Sequence, residues 1–385
     1  MAKEFYLDNS ATTPISPAAL ERYTELSLST YGNPSSLHGK GKEAEDVVKS
    51  ARRTLSGILG EGCTVFTGSG TESNNLAIFG RAYAKERYRG GKILTTDGEH
   101  SSVNAPLEKL RGEGYKIAYI PTKGGVVDLD ALRKEADSSV ILATFMLVNN
   151  ETGALYDIAA ASRILRANSP GAVLHCDTTQ AFGKVPFTAK ALGADMITVS
   201  SHKIRGPKGV GALWISNALV KEKGVSPQIL GGGQEFGFRS GTVNVPGIGA
   251  FAVAMAECKQ SLANNHARFM EIREYALAQL AEKCPEIRPN LPPVAAPHIL
   301  NITLPSVKSE TMLHHLSGRG IYVSGGSACA SHGKGVSLAL LAFGLSEKEA
   351  DCSLRISFGA QTEKEDIDAL ATALLEGLSH LARMR

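Results

Sequence analysis

The distribution of apolar and polar residues predicts alternating strands and helices over residues 1–215. Short apolar runs are followed by turn residues and then by segments whose apolar positions recur at helical spacing. Residues 43–59 are the clearest of these helices. Repeated strand, turn and helix units specify a parallel sheet covered on both faces, with ligands at the carboxyl ends of its strands.

The pattern changes in the second half of the chain. Residues 245–280 predict a long helix that is weakest at Asn264 and Asn265 and that leads to a second domain. From residue 299 onward, short strands and helices alternate without repeats and predict a small α+β unit. A chain of 385 residues is long enough for two domains of this kind.

Composition narrows the class of protein. Hydrophobic residues make up 43% and charged residues 21%, which is typical of a soluble globular protein. A net charge of +3 gives no basis for binding nucleic acid or a membrane surface. No apolar run reaches the roughly 18 residues of a membrane span, and the N-terminus has no signal-peptide core. The six cysteines lack a paired spacing and are expected to be reduced, so we expect a cytoplasmic protein.

One segment concentrates candidate chemistry at the end of a predicted strand. Residues 196–199 form an apolar run, and Lys203 follows a cluster of two serines and His202. A lysine at the mouth of a buried strand loses solvation of its ammonium form, so it can act as an amine nucleophile or form a Schiff base. A surface lysine in a strand–turn–strand unit is the alternative. Asp177 ends an earlier apolar strand and favours the first interpretation, because pyridoxal phosphate uses a carboxylate and a lysine as partners.

A glycine-rich turn indicates a site for a phosphate group. A strand that ends at Thr67 runs into residues 68–71 (GSGT), and a helix is predicted to begin near Glu72. Glycines let a phosphate approach the backbone, and a helix N-terminus offers free N–H groups. The turn lacks the lysine of a P-loop and the third glycine of a dinucleotide fingerprint. A tight turn without a ligand is the alternative to a cofactor phosphate bound by Gly70 and Thr71.

Other polar residues beside predicted strands and turns have two interpretations each. His100 follows the strand at residues 92–96 and is either structural or a group that moves protons near neutral pH. Asn150 follows another strand end and is either a turn residue or an amide ligand. Asn33 lies in an Asn-Pro turn and is either a turn former or a substrate contact.

Cys329 occupies a second informative segment, VSGGSACASHGKG. Its neighbours are almost all glycine, serine and alanine, which cannot anchor a core, so the segment predicts an exposed loop with a thiol at its tip. A small cysteine buried in a turn is the alternative. Reactive thiols are partly exposed and lie near positive charge, and His332 and Lys334 are close in sequence.

The order of these segments resembles that of the NifS/IscS-like cysteine desulfurases. The motifs that carry the resemblance extend over essentially the whole chain: YLDNSATTP, GNPSSLH, FTGSGTESNN, GEHSSV, VNNETG, DTTQ, SSHKIRGPKG, GGGQE, RSGT, SGGSACAS and SLRISFG. The Cys329 segment resembles that of the longer-looped NifS/IscS group rather than the SufS group. The resemblance implies the α/β fold of fold-type I pyridoxal-phosphate-dependent transferases, with a mainly parallel seven-stranded sheet in a large domain and a smaller α+β domain. The expected boundaries are residues 14–257 for the large cofactor-binding domain, and 1–13 with 258–385 for the small domain that carries Cys329.

The resemblance also assigns roles to individual residues. It implies that Lys203 binds pyridoxal 5'-phosphate covalently, that Asp177 holds the pyridine nitrogen, and that His100 stacks on the ring and moves protons. Contacts to the phosphate are implied for Gly70, Thr71, Ser200 and His202, and for Thr242 from the partner subunit of a homodimer. A contact to the ring hydroxyl is implied for Gln180.

Substrate residues follow from the same resemblance. Asn150 and Arg355 are expected to bind the substrate carboxylate, for which a guanidinium has paired donors, and Asn33 is expected to contact the substrate. Cys329 is implied as the sulfur acceptor. No metal site is expected, although Cys329 is a candidate transient ligand of an iron–sulfur cluster.

The implied reaction takes sulfur from L-cysteine, releases L-alanine and leaves a persulfide on Cys329. That sulfur is expected to pass to an acceptor protein for iron–sulfur cluster assembly or thiolation. A selenocysteine lyase, another class-V enzyme and a non-catalytic scaffold that keeps the fold remain alternatives.

Three departures from the family pattern leave details open. Phe236 follows GGGQE, where the family often has arginine, so a local ion pair or dimer contact is in question. His332 is expected to lower the pKa of the Cys329 thiol. The chain ends at Arg385, soon after its last predicted helix, which leaves open the surface for an iron–sulfur scaffold protein.

Overall fold

A computed structural model describes residues 3–325 and 336–381. The strands are β1 (Phe5–Tyr6), β2 (Cys63–Thr67), β3 (Lys92–Thr96), β4 (Lys116–Ile120), β5 (Val140–Met146), β6 (Val173–Asp177), β7 (Met196–Ser200), β8 (Gly211–Ile215), β9 (Arg288–Asn290), β10 (Ile299–Thr303), β11 (Ile321–Tyr322), β12 (Ser324–Gly325) and β13 (Ser353–Ser357). The helices are α1 (Pro17–Ser29), α2 (Gly39–Leu59), α3 (Gly70–Ala82), α4 (Ser101–Gly112), α5 (Leu129–Glu135), α6 (Ile158–Asn168), α7 (Ala189–Leu192), α8 (Asn217–Lys221), α9 (Val245–Lys283), α10 (Ser309–Ser317), α11 (Leu338–Phe343), α12 (Glu347–Asp351) and α13 (Lys364–His380).

Seven strands form one sheet in the order β2-β8-β7-β6-β5-β3-β4. Strands β3 to β7 are parallel to one another, whereas β8 is antiparallel to both β2 and β7. The short connection from β7 to β8 explains the reversal, because a parallel pair needs a crossover of a dozen or more residues. The predicted mainly parallel sheet is therefore confirmed, and the carboxyl ends of β2, β3, β5, β6 and β7 lie along one edge.

Apolar cores cover both faces of this sheet. Alternate residues of one strand point to opposite faces, and adjacent residues accordingly enter different cores: Met196 lies in one and Ile197 in the other. Helices α3 and α4 pack on the Met196 face, while α2 and the first half of α9 pack on the Ile197 face. Both neighbours are fully buried, which explains why the strands read as continuous apolar runs.

A second core surrounds a four-stranded antiparallel sheet in the order β12-β13-β10-β9. Helix α9, 39 residues long, connects the two regions, because its first half packs on the large sheet and residues such as Phe269 and Leu280 pack in the second core. Leu7 of the N-terminal segment also belongs to the second core, whereas Ile299 packs with the large sheet. The domain boundaries given above remain a prediction.

Helix ends differ from expectation where a cap decides them. Helix α3 begins at Gly70, earlier than expected, because the Ser69 hydroxyl accepts from the Glu72 N–H. Helix α9 continues through Asn264 and Asn265 because packing on two cores outweighs their small propensity cost. Within the described residues, the helices lack the combination of length and apolarity that crossing a bilayer requires.

Candidate active site

A cavity of about 380 Å³ opens at the carboxyl edge of the large sheet. Strand ends, the N-terminus of α3 and strand β13 of the second sheet supply its walls. The predicted site residues that line it are Gly70, Thr71, His100, Asn150, Asp177, Gln180, Ser200, His202, Lys203 and Arg355. Residues far apart in sequence thus meet because parallel strands bring their carboxyl ends to one edge.

Lys203 lies in a short turn directly after β7. Its side chain is half-buried, and its Nζ donates to the backbone carbonyls of Ser10 and Ala11 at 2.5 and 2.7 Å. These carbonyls belong to the N-terminal segment, which crosses from β1 to the large sheet. Backbone acceptors therefore hold the lysine at the cavity wall.

Asp177 ends β6 at the base of the cavity and is 7% exposed. Its Oδ2 accepts from Asn74 Nδ2 at 2.8 Å, and its Oδ1 accepts from the backbone N–H of Thr179 at 2.9 Å. These two donors fix the direction of the carboxylate. The arrangement suits a carboxylate that accepts from a cationic ring N–H.

The turn before α3 forms a cradle for an anion. Gly70 is buried beneath it, and a Cβ at this position would stand 3.1 Å from the Ser200 Cβ and 3.3 Å from the Thr179 hydroxyl. Glycine is thus favoured here by close contact rather than by an unusual backbone angle. Glu72 braces the turn by accepting from the Gly68 N–H at 2.9 Å and from Arg239 Nε at 2.8 Å. The first turn of α3 directs N–H groups at this space, as helix N-termini that bind phosphate do.

His100 caps α4, since its Nδ1 accepts from the Ser102 backbone N–H at 3.1 Å. Burial lowers the pKa of its imidazole; Asp177 opposes that shift, and the charges of Lys203 and Arg355 add to it. The ring is therefore neutral near pH 7. Sequence reasoning identified His100 as a candidate but did not predict its capping role.

His202 precedes the lysine and is also held neutral. Burial lowers the pKa of its imidazole to about 4, and the charges of Lys203, Lys208 and Lys184 act in the same direction. Its Nδ1 lies 3.1 Å from the Thr12 hydroxyl, and its backbone carbonyl accepts from the Thr13 side chain at 2.8 Å. A neutral imidazole can donate a hydrogen bond to an anion but adds no charge.

Arg355 projects from β13 and is 5% exposed. Its Nη2 donates to Asp8 Oδ1 and to the Ser324 hydroxyl, each at 2.9 Å, and its Nη1 donates to the Asn150 carbonyl at 3.0 Å. Ser324 in turn donates to Asp8 Oδ1 at 2.8 Å. The guanidinium is thus oriented by groups on three separate segments, and sequence reasoning missed the contribution of Asp8 and Ser324.

The residues present fit a phosphorylated, nitrogen-containing ring cofactor. Buried polar atoms of cavity residues, among them Ser10 Oγ, Asn74 Oδ1 and Gln180 Oε1, have no hydrogen-bond partner in the described part of the chain. Buried polar groups are normally paired, so these atoms indicate room for a polar ligand. Lysine, carboxylate and anion cradle lie around the same space. Among the described residues, no cluster of histidine, cysteine and carboxylate side chains is placed to hold a metal ion.

Comparisons with known proteins point in one direction. The family described as Aminotransferase class-V matches residues 5–370. A protein named Cysteine desulfurase IscS 1 from Archaeoglobus fulgidus is 34% identical over 383 residues, with 98% of each chain covered. A NifS/IcsS protein homolog from Lactobacillus delbrueckii subsp. bulgaricus is 36% identical over 392 residues, again with 98% of each chain covered. The chain belongs to the NifS/IscS-like cysteine desulfurase family.

Solved structures agree with this family at the level of the fold. A structure described as a NifS-like protein superposes with a TM-score of 0.91 at 33% identity, covering 98% of this chain and 100% of the other. A structure described as SspA in complex with cysteine has a TM-score of 0.78 at 29% identity, covering 92% and 99%. The fold-type I prediction is thereby confirmed for this cysteine desulfurase family member.

Two described residues that were expected in the desulfurase site, Asn33 and Thr242, do not line its cavity. Asn33 is exposed, and its side-chain oxygen accepts from the Ser35 N–H at 3.0 Å, as in an ordinary turn. Thr242 is exposed beside a smaller cavity that Glu235 and Arg239 also line. Cys329 lies outside the described residues, together with His332 and Lys334. The roles implied for these residues stay predictions.

Proposed function

We propose that the protein is a cysteine desulfurase that uses pyridoxal 5'-phosphate to convert L-cysteine into L-alanine and a protein-bound persulfide. The observation that carries this proposal is the meeting of Lys203, Asp177 and the Gly70 turn around one cavity. A lysine, a carboxylate and an anion cradle are the groups that this cofactor requires. The names of the relatives support the substrate and the product.

The protein residues divide the binding of the cofactor among them. Lys203 would hold the cofactor through its amine, Asp177 would accept from the ring N–H, and the turn at Gly70 and Thr71 with Ser200 and His202 would receive the phosphate. Gln180 would contact the ring hydroxyl. The bound cofactor supplies an electron sink that lets the substrate lose its Cα proton.

Substrate orientation would depend on Arg355 with Asn150. The planar guanidinium of Arg355 suits a carboxylate, and Asp8, Ser324 and the Asn150 carbonyl hold its plane in place. A substrate carboxylate would replace some of these acceptors. His100, neutral beside the cavity, would transfer protons between substrate atoms.

The sulfur-transfer step would use Cys329. Its thiolate attacks the sulfur of the bound substrate, the C–S bond breaks, and the carbon accepts a proton to become the methyl group of alanine. The products are L-alanine and a Cys329 persulfide, so no external oxidant or reductant is needed in this step. The persulfide would then pass to an acceptor protein of iron–sulfur cluster assembly or thiolation.

The assembly and location belong to the same proposal. We expect a homodimer in which Thr242 reaches the phosphate of the partner subunit, since its side chain is exposed and outside its own chain's main cavity. The dimer is expected to act in the cytoplasm.

The decisive assay incubates the purified protein with L-cysteine and a reductant and quantifies alanine and sulfide. We expect equal amounts of the two products. Cys329→Ser should keep the yellow cofactor and form no alanine, whereas Cys258→Ser, at a half-buried thiol within α9, should retain turnover. Normal turnover by Cys329→Ser would exclude the thiol from the reaction, and turnover of L-selenocysteine alone would favour a lyase.

A further inference from the structure

Four side chains form a hydrogen-bonded chain from the base of the cavity to its wall. Asp177 Oδ2 accepts from Asn74 Nδ2 at 2.8 Å, and the same Nδ2 donates to the Ser102 hydroxyl oxygen at 2.8 Å. The Ser102 hydroxyl lies 2.8 Å from His100 Nδ1. Asn74 and Ser102 are 1% and 7% exposed, so water does not compete for these bonds.

The direction of each bond follows from the chemistry of the first group. An ionised carboxylate only accepts, so Asn74 must present its NH₂ group to Asp177. The same NH₂ group then donates to the oxygen of Ser102, whose own proton is left to point elsewhere. The remaining neighbour is His100 Nδ1, which also receives the Ser102 backbone N–H at 3.1 Å. Nδ1 therefore faces two donors and has no proton of its own.

We propose that Asn74 and Ser102 are positioning residues that hold His100 as the neutral tautomer with its proton on Nε2 and that align its ring with Asp177. The inference rests on the proposed function for its catalytic consequence, while the tautomer itself is a property of the protein. At rest, His100 then presents a donor to the cavity. Nε2 can accept a proton only when the ring proton is on Nδ1 instead. For that tautomer to form, the Ser102 hydroxyl must first rotate its own proton away from Nδ1.

Charged groups around His100 come from three other elements. Asp177 faces it from β6 and favours the imidazolium, whereas Lys203 after β7 and Arg355 from β13 disfavour it. Loss of the Ser102 hydroxyl removes one of the two donors that oppose a proton on Nδ1. The pKa of His100 should consequently rise in Ser102→Ala, and the acidic limb of the pH profile of kcat/KM should move to higher pH.

The test is ¹⁵N NMR of the full-length holoprotein labelled at histidine, with the His100 signals identified by their loss in His100→Gln. In the wild-type protein we expect an unprotonated Nδ1 and a protonated Nε2. Ser102→Ala should show exchange between the tautomers and a roughly tenfold lower kcat/KM, the effect of one lost hydrogen bond. Ser102→Thr, which keeps a hydroxyl, should restore both.

Two results would overturn the inference. The first is a protonated Nδ1 in the wild-type protein, which needs no variant to fold. The second is a His100 tautomer and titration that stay the same in Ser102→Ala and Asn74→Ala while only the unfolding midpoint falls, because that outcome assigns both residues a purely structural role. A wild-type protein with the expected tautomer but without desulfurase activity would contradict the proposed function and leave the positioning intact.

Discussion

Glu235 offers the sharpest test of how the phosphate cradle is held. Its carboxylate is 3% exposed and accepts from Arg52 through both oxygens, at 2.8 and 2.9 Å. The same carboxylate accepts from the Phe66 backbone N–H at 2.7 Å. The rings of Phe66 and Phe236 lie 5.1 and 4.5 Å from the Arg52 guanidinium. Phe236, where the family often has arginine, thus makes an aromatic contact with this cation.

Glu235→Ala removes the carboxylate that accepts from both Arg52 and Phe66, while Arg52 Nη1 keeps the Thr64 backbone carbonyl as an acceptor. The Arg52 side chain, 19% exposed, and the Phe66 N–H then lose their carboxylate partner. Breaking a buried ion pair from one side costs about 3–5 kcal/mol, and the partial exposure of Arg52 places the expected loss of unfolding free energy at about 3 kcal/mol. Glu235→Gln, which keeps one acceptor oxygen, should lose less.

The loss is measured by urea unfolding at fixed protein and cofactor concentrations. Glu25→Ala is the matched control, because the Arg22–Glu25 pair has side chains that are 35% and 57% exposed and should contribute at most about 1 kcal/mol. Glu235→Ala should also lose the cofactor more readily than the wild-type protein. The reason is that the chain continues from Glu235 to Arg239, whose Nε donates to Glu72 of the phosphate turn at 2.8 Å. A loss no larger than that of the control would refute this reasoning.

Two further substitutions test the cradle and a buried amine. Gly70→Val places a side chain against Ser200 in the phosphate space and should weaken cofactor binding, measured by titration, roughly tenfold or more. Gly112→Ala, where the added Cβ meets nothing within 4 Å, should leave cofactor binding unchanged. Equal cofactor affinities of the two variants would contradict the assignment of Gly70 to the phosphate site. Burial lowers the pKa of Lys184 to about 7. Between about pH 7 and 10 the unfolded chain therefore binds more protons than the folded chain, and the unfolding free energy should rise with pH across that window. Lys184→Met should therefore raise the unfolding free energy by on the order of 3 kcal/mol at pH 7 and by less at pH 9.5. The same substitution at the exposed Lys190 should leave the unfolding free energy unchanged at both pH values. A wild-type unfolding free energy that falls between pH 7 and 9.5 would contradict the expected direction.

Much of the fold could be predicted because the ends of strands and the helical spacing of apolar residues are determined by residues that are close in sequence. The apolar run before Lys203 and the one before Asp177 correspond to β7 and β6, and the parallel arrangement then brought both residues to one edge. The antiparallel direction of β8 was harder to predict, although the connection between β7 and β8 is too short for the crossover that a parallel pair needs. Local patterns were sufficient for these elements because each one is set by neighbours in sequence.

The contacts that orient the site residues could not be predicted in the same way. Asp8 contacts Arg355 across 347 positions, and Ser10 accepts from Lys203 across 193. No local pattern encodes such pairs, since they arise only when the N-terminal segment crosses the edge of the sheet. Asn74 lies in the GTESNN motif, where two adjacent asparagines gave no indication of which one faces inward.

Borohydride reduction followed by peptide mapping tests directly whether Lys203 carries the cofactor. We expect a yellow protein, one reduced adduct on the peptide that contains Lys203, and no adduct on Lys184, whose amine is buried away from the cavity. Lys203→Ala should yield no adduct. A colourless protein, or an adduct on any other lysine, would show that Lys203 does not hold the cofactor.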